Sequence, residues 1–278
     1  MGIEEEHNVE AVHGQLLKVP FKTFGRITVS LPLGSLLFCF TTAMIFKFDE
    51  VNTTECNVRN LVPSISAITG VTPQRYVWRI CIALHSTPRF AVGLMYYNYY
   101  MSRVKYIVES QHSWYKKLVS FNFWCYTIEN SCLVGVTYIA NVENYPLHEK
   151  IFVMFMTTSI VYELMTLVLF RWAHPEMESN PRVLKSYRLK KGFFVSILAF
   201  TSGLLYFFLR HRLYCEPNAF TFFSTMEYAI AITNICFHFT ASMEFDDLYW
   251  LVGCNGGVVQ HDCISNNSAT SSVDKKQN

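Results

Sequence analysis

Residues 192–209 read GFFVSILAFTSGLLYFFL. Without a single charge, this stretch makes about 27 Å of α-helix, close to the hydrocarbon thickness of a bilayer. It sets the class of the protein as membrane-spanning. Working outward, five more apolar stretches fall at 27–46, 76–100, 119–140, 150–171 and 219–241. Together they predict an all-α membrane protein, a bundle of about six transmembrane helices with both termini cytosolic. The stretch 119–140 is the weakest, interrupted by Asn122, Glu129 and Asn130. Charged residues make up only 16% of the chain, against about 25% in soluble domains. Mean hydropathy is nonetheless only +0.20, so polar segments must flank the spans. This divides the chain into a cytosolic segment 1–26, a transmembrane domain 27–245 and a polar tail 246–278, expected to be disordered and cytosolic.

Orientation follows from basic residues. Lys18, Lys22 and Arg26 precede the first span; Arg103, Lys105, Lys116 and Lys117 follow the second; Arg182, Lys185, Arg188, Lys190 and Lys191 follow the fourth. These alternate segments are assigned to the cytosol. The first 25 residues hold Glu4, Glu5, Glu6 and Glu10 and no apolar core, so the first span is expected to serve as its own insertion signal. The opposite loops then face an oxidising lumen. There Asn52-Thr53-Thr54 forms a glycosylation acceptor triplet. Of nine cysteines only Cys56 and Cys215 fall in those loops, one in the first and one in the last, which predicts a disulfide between them.

The informative residues are polar ones at membrane depth. At 100° per residue, Arg75, Arg79, Ser86 and Arg89 share an arc of about 80°, with His85 at its edge and Pro88 breaking the local ladder. An arginine near the bilayer centre costs of order 2.5–3.5 kcal/mol, so each needs a partner, water or a ligand. Snorkelling to the interface suffices for Arg75. On the last span Glu227, Asn234 and His238 share a face; on the third, Asn122 and Glu129 do. Glu163 adds a carboxylate on the fourth. A purely packed bundle needs few such groups, which points to a polar cavity that includes Asn122, Asn234 and His238. His148, Arg210 and His211 sit at the lumenal mouths. No serine-hydrolase elbow, nucleotide loop or zinc-ligand spacing occurs, and no metal is expected. Nothing in the charge pattern calls for nucleic acid.

Several of these residues also carry a resemblance. Pro73-Gln74-Arg75-Tyr76-Val77-Trp78-Arg79 with His85-Ser86-Thr87-Pro88-Arg89, then Arg210-His211 and Tyr214-Cys215-Glu216, then Glu227-Tyr228 and residues 234–238, resemble the Frag/DRAM/Sfk family of membrane proteins. The likeness is to the members that act on glycosylphosphatidylinositol (GPI) anchors after attachment, and it runs from about 20 to 245. It implies fatty-acid remodelling of GPI anchors in Golgi, or also endoplasmic reticulum, membranes. There lyso-GPI regains a saturated, typically stearoyl, chain at sn-2, for stable surface expression of GPI-anchored proteins. The implied partners are the GPI lipid, membrane lipids and other enzymes of GPI remodelling. No bound cofactor is expected; an acyl donor, acyl-CoA or phospholipid, is a co-substrate. Two roles stay open: the acyltransferase itself, or a non-catalytic scaffold that presents lyso-GPI to one. A membrane regulator like other relatives would need no polar cavity. For acyl transfer the candidates are His85 as general base, oriented by Glu129 or Glu227, with Arg79 and Arg89 facing oxyanion charge. Arg75, Arg79, Arg89, Arg210 and His211 are candidates for the lipid phosphate. His148, His211 and His238 are the alternative bases.

Overall fold

The computed structural model describes residues 14–254. Residues 20–248 form one compact unit. Its six long helices are α1 (Phe21–Phe46), α4 (Gln74–Ser102), α5 (His112–Tyr138), α6 (Tyr145–Ala173), α7 (Pro181–Tyr214) and α8 (Ala219–Phe239), with the short α2 (Phe48–Asn52), α3 (Ile65–Gly70) and α9 (Ala241–Glu244) between and after them. Helix starts follow local chemistry. The Asn144 side chain accepts from Leu147 N–H, and that of Asn180 from Arg182 and Val183 N–H, with a proline in the first turn of each helix. Helix α7 stops where Cys215 adopts a left-handed φ of 47°.

Helix α7 also begins earlier than expected, because the basic stretch after the fourth span continues the helix instead of forming a loop. Its Lys190 is 1% exposed and pairs with Glu244 at 2.9 Å, so it is not a solvated cytosolic charge.

Each long helix packs on the next long helix in sequence, α1 on α4 included, and α8 returns to α1 to close the ring. Gly93 brings α4 and α5 together: a Cβ there would lie 2.7 Å from the Tyr126 ring. The polarity is inverted relative to a soluble fold. Outward positions carry Leu37, Ile45, Phe46, Val153 and Leu209, each more than half exposed, while Arg89, Glu129, Asn130 and Glu163 are buried. Lipid outside and polar partners inside account for both. By length and apolarity together, α1, α6 and α7 qualify as membrane-crossing helices. At 29, 27 and 21 residues, α4, α5 and α8 have the length but carry the polar residues discussed above.

Residues 47–73 fold back over one end of the bundle. A disulfide joins Cys56 to Cys215, as the topology predicted. Asn218 N–H donates to the Arg59 carbonyl at 3.0 Å, and Tyr228 Oη to that of Pro63 at 3.2 Å. Asn52, of the expected glycosylation triplet, belongs to this clasp. It is 8% exposed; its amide nitrogen donates to the Phe48 carbonyl and its oxygen accepts from Asn60. Closing a separation of 159 residues stabilises by at most about 5 kcal/mol on chain-entropy reasoning. Wild-type monomer is therefore expected to migrate faster without reductant than with it, and Cys215→Ser to lose that shift. Equal migration of both would remove the bridge.

The other unit is a two-stranded sheet of β1 (Gly14–Pro20) and β2 (Tyr249–Cys254), in which the Lys18 ammonium lies 4.3 Å from the Tyr249 ring centroid. The expected disordered tail thus begins with a strand. Tyr249-Trp250-Leu251-Val252 is too apolar and aromatic for the polar tail assigned to 246–278. The acidic cluster Glu4–Glu10 and residues 255–278 lie outside the described residues.

Candidate functional site

Three helices meet at one carboxylate, and a fourth joins through Asn234. Glu129 of α5 is 0% exposed; its Oε1 lies 3.2 Å from Arg89 Nη2 (α4), 2.9 Å from His238 Nε2 and 3.2 Å from Asn234 Nδ2 (both α8). Asn234 Nδ2 also reaches Ser159 Oγ at 2.8 Å and Glu163 Oε1 at 3.4 Å on α6. The Arg89 guanidinium stands 5.3 Å from the Tyr126 ring centroid, and His238 stacks on Tyr162. His238 Nε2 lies 2.9 Å from Arg89, a donor, and equally 2.9 Å from Glu129, an acceptor. It can accept from the first only without a proton and donate to the second only with one.

His85 is held differently from either orientation expected of it. Pro32 in α1 has no N–H, so the Thr28 carbonyl four residues earlier lacks its ladder donor. His85 Nδ1–H supplies it at 2.8 Å. A carbonyl only accepts, which fixes the proton on Nδ1, and no partner for Nε2 occurs among the described residues. Among the described residues neither Glu129 nor Glu227 hydrogen-bonds to His85.

A cavity of about 830 Å³, counting its open mouth, runs among α3 to α8. Its walls are apolar: Trp78, Ile82, Leu133, Phe152, Phe155, Met156, Leu204 and Ile230. His85 and Arg89 stand at its inner end, and Ser66, His148 and Glu227 at its outer end. The same outer residues line a further cavity reaching Tyr145, Glu149 and Phe220. His85 and Arg89 also line a smaller one that runs on to Tyr96 and Lys190.

The outer end is built by α3. Glu227 Oε2 accepts the Ile65 N–H at 2.8 Å, and Ser64 Oγ accepts that of Ala67 at 3.1 Å. Ser66 Oγ lies 2.8 Å from His148 Nε2, and His148 Nδ1 lies 2.7 Å from the Ile139 carbonyl. That carbonyl again fixes the proton on Nδ1, so Nε2 accepts from the Ser66 hydroxyl.

Arg75 and Arg79 do not face Arg89. Both turn to Glu143 in the loop before α6, Arg75 Nη1 at 3.2 Å and Arg79 Nη2 at 2.8 Å, and Arg79 also donates to the Tyr138 carbonyl. The Ala140 backbone N–H, and then Arg79, hold the Glu143 carboxyl below the usual carboxylate range. Arg210 pairs with Glu216 at 2.5 Å on the surface, while His211 is buried against Phe220. Asn122 bonds Thr166 at 3.3 Å. Two turns of helix, about 10 Å, separate it from Glu129, so it lies outside the network that holds Asn234 and His238. Sequence reading missed Ser66, Glu143 and Thr28. A loop acid facing two loop-side arginines was a findable signal; a serine in a six-residue helix was not.

Residues 20–248 match the family model described as Frag1/DRAM/Sfk1/Cwh43P N-terminal domain. The chain is 43% identical over 226 residues to "Post-GPI attachment to proteins factor 2-like" of Drosophila melanogaster, covering 81% of this chain and 70% of that one. It is 38% identical over 244 residues to "Acyltransferase PGAP2" of Xenopus tropicalis, covering 87% and 94%. It is 33% identical over 232 residues to "Post-GPI attachment to proteins factor 2" of Caenorhabditis elegans, covering 83% and 87%. No solved structure matches it.

Proposed function

Because the chain belongs to the Frag1/DRAM/Sfk1/Cwh43P family, we propose that it remodels GPI anchors by reacylating lyso-GPI at sn-2 with a saturated, stearoyl-type chain. The six long helices all cross the membrane, with both termini cytosolic and the α3 end in the lumen of the Golgi or endoplasmic reticulum. Other enzymes of GPI remodelling supply the lyso-lipid.

One observation carries this reading: an apolar cavity with a tautomer-fixed histidine at its outer end. The loop that lends Asn141 to that end also holds Glu143, the partner of Arg75 and Arg79. An acyl chain fits apolar walls. Its glycerol hydroxyl then lies near the headgroup, at the level of His148, and its phosphate meets Arg75 and Arg79 in exchange for Glu143. His148 Nε2 takes the hydroxyl proton as general base. The acyl donor, a phospholipid ester or acyl-CoA, is a co-substrate and no bound cofactor is needed. Glu227 positions α3, and Glu129, Arg89, Asn234 and His238 fix the inner end.

A second reading, direct transfer at the inner end, is favoured by His85 Nε2, which has no hydrogen-bond partner among the described residues and lines the cavity with Arg89. It places the hydroxyl far below its own phosphate. A third, the scaffold, keeps the cavity and removes the chemistry.

Cells lacking the protein, complemented with variants, test the proposal through the sn-2 chain composition of their surface anchors. Wild type should restore saturated chains; Arg79→Ala and the cavity-filling Met156→Trp should each lower that restoration severalfold at normal protein level. Full restoration by both would sink the cavity as the lipid site.

A further inference from the structure

The pair at the cavity's outer end has more than a base in it. Ser66 Oγ lies 2.8 Å from His148 Nε2, and the ring is oriented in turn by the Ile139 carbonyl at 2.7 Å. Hydroxyl, imidazole and orienting acceptor in line form the arrangement that activates a serine nucleophile. Three separate elements, α3, α6 and the loop after α5, meet to make it. His148 is 7% exposed, while Ser66 is half-buried and lines both cavities at that end. Glu227, reaching across from α8 to the Ile65 N–H, fixes the turn on which Ser66 stands.

We propose that Ser66 is an acyl-accepting nucleophile, so that transfer runs through an acyl-enzyme with His148 as its base. This rests on the reacylation reading and specifies its covalent route. In the first half-reaction Ser66 Oγ bonds to the carbonyl carbon of the donor's acyl group, and the Ser66 proton passes to His148 Nε2. The bond from that carbon to the donor's oxygen or sulfur breaks, and the leaving atom takes the proton from His148. The chain is then an ester of Ser66. In the second half-reaction the sn-2 hydroxyl oxygen of the lyso-lipid bonds to the same carbon. Its proton passes to His148 Nε2 and on to Ser66 Oγ as the serine ester breaks. The donor chemistry is an acyl group on an ester or a thioester, from a glycerophospholipid or from acyl-CoA. Glu227 is a positioning residue, since its carboxylate meets a backbone N–H and not the reacting atoms.

The test uses purified full-length protein in lipid nanodiscs, with stearoyl-labelled phosphatidylcholine in one arm and labelled stearoyl-CoA in the other. Acid quenching without acceptor should leave label on Ser66 from one of the two, as an ester that resists neutral hydroxylamine and yields to alkali. Adding lyso-GPI should move that label into lipid. Ser66→Ala should carry no label. Ser66→Cys should carry it as a thioester that neutral hydroxylamine cleaves, which shows that the site still folds. His148→Ala should label about 10²–10⁴-fold more slowly. Glu227→Gln, which keeps an acceptor oxygen for Ile65, should label where Glu227→Ala does not. If wild type transfers the chain with no label on Ser66, and Ser66→Ala transfers at the wild-type rate, the covalent route is overturned and direct transfer stands. If neither donor gives label or product, the reacylation reading falls with it.

Discussion

Glu129→Ala should lower the stability of the folded protein by about 3–5 kcal/mol, because it leaves the Arg89 guanidinium buried without its carboxylate. Glu129 is 0% exposed and Arg89 5%, so water cannot replace the lost partner. The same carboxylate oxygen also meets His238 and Asn234, and its loss loosens α8 from α5 as well. The pair itself is a different matter. Replacing both members by apolar residues of similar size, Arg89→Met with Glu129→Leu, removes two desolvated charges together, and it should recover most of the loss. Thermal unfolding in detergent, followed by tryptophan fluorescence, separates the cases: a low midpoint for the single variant, one nearer wild type for the double. A single variant as stable as wild type would mean that Arg89 is solvated and that the inner end is not the dry network described above.

The second large effect is kinetic. His148→Ala should reduce reacylation by about 10²–10⁴-fold, the usual contribution of a positioned general base. His85→Ala should leave the rate within about tenfold, since His85 lies at the other end of the cavity and fills the carbonyl that Pro32 leaves open. The reverse ranking would move the chemistry to the inner end, beside Arg89. The two substitutions thus discriminate the readings without relying on either absolute rate. Neither histidine is an ion-pair partner of Arg89 or Glu129, so both variants should keep the buried network.

How much of this was legible beforehand depends on the range of the interaction. The six long helices follow from apolar length, a local property, and match the stretches read at 27–46 and 76–100 within a few residues at most ends. The disulfide followed from topology, because alternation of sides left only Cys56 and Cys215 together. Periodicity found the faces of Glu129, and of Asn234 with His238, because residues on one helix face keep their relation whatever the packing. It could not say which partner each face meets. Arg75, Arg79 and Arg89 share a stripe on α4, yet a loop acid, Glu143, draws the first two away from the third. His85 was paired with carboxylates on the usual expectation for a base. The actual acceptor is a backbone carbonyl freed by a proline on another helix, and side-chain patterns do not display such a group. Ser66 lies in α3, six residues long, inside a connection with no period to read. Strands β1 and β2 are separated by the whole helical unit, from Pro20 at the end of one to Tyr249 at the start of the other, beyond the reach of any local signal.

The most direct measurement is turnover by the purified protein alone. Wild type in nanodiscs, given lyso-GPI and a labelled stearoyl donor, should form GPI with the label at sn-2, as shown by release with phospholipase A2, and His148→Ala should form little. Lyso-GPI that binds in the cavity but is never acylated, with either a phospholipid or an acyl-CoA donor, would contradict catalysis and leave the protein as a carrier of its lipid.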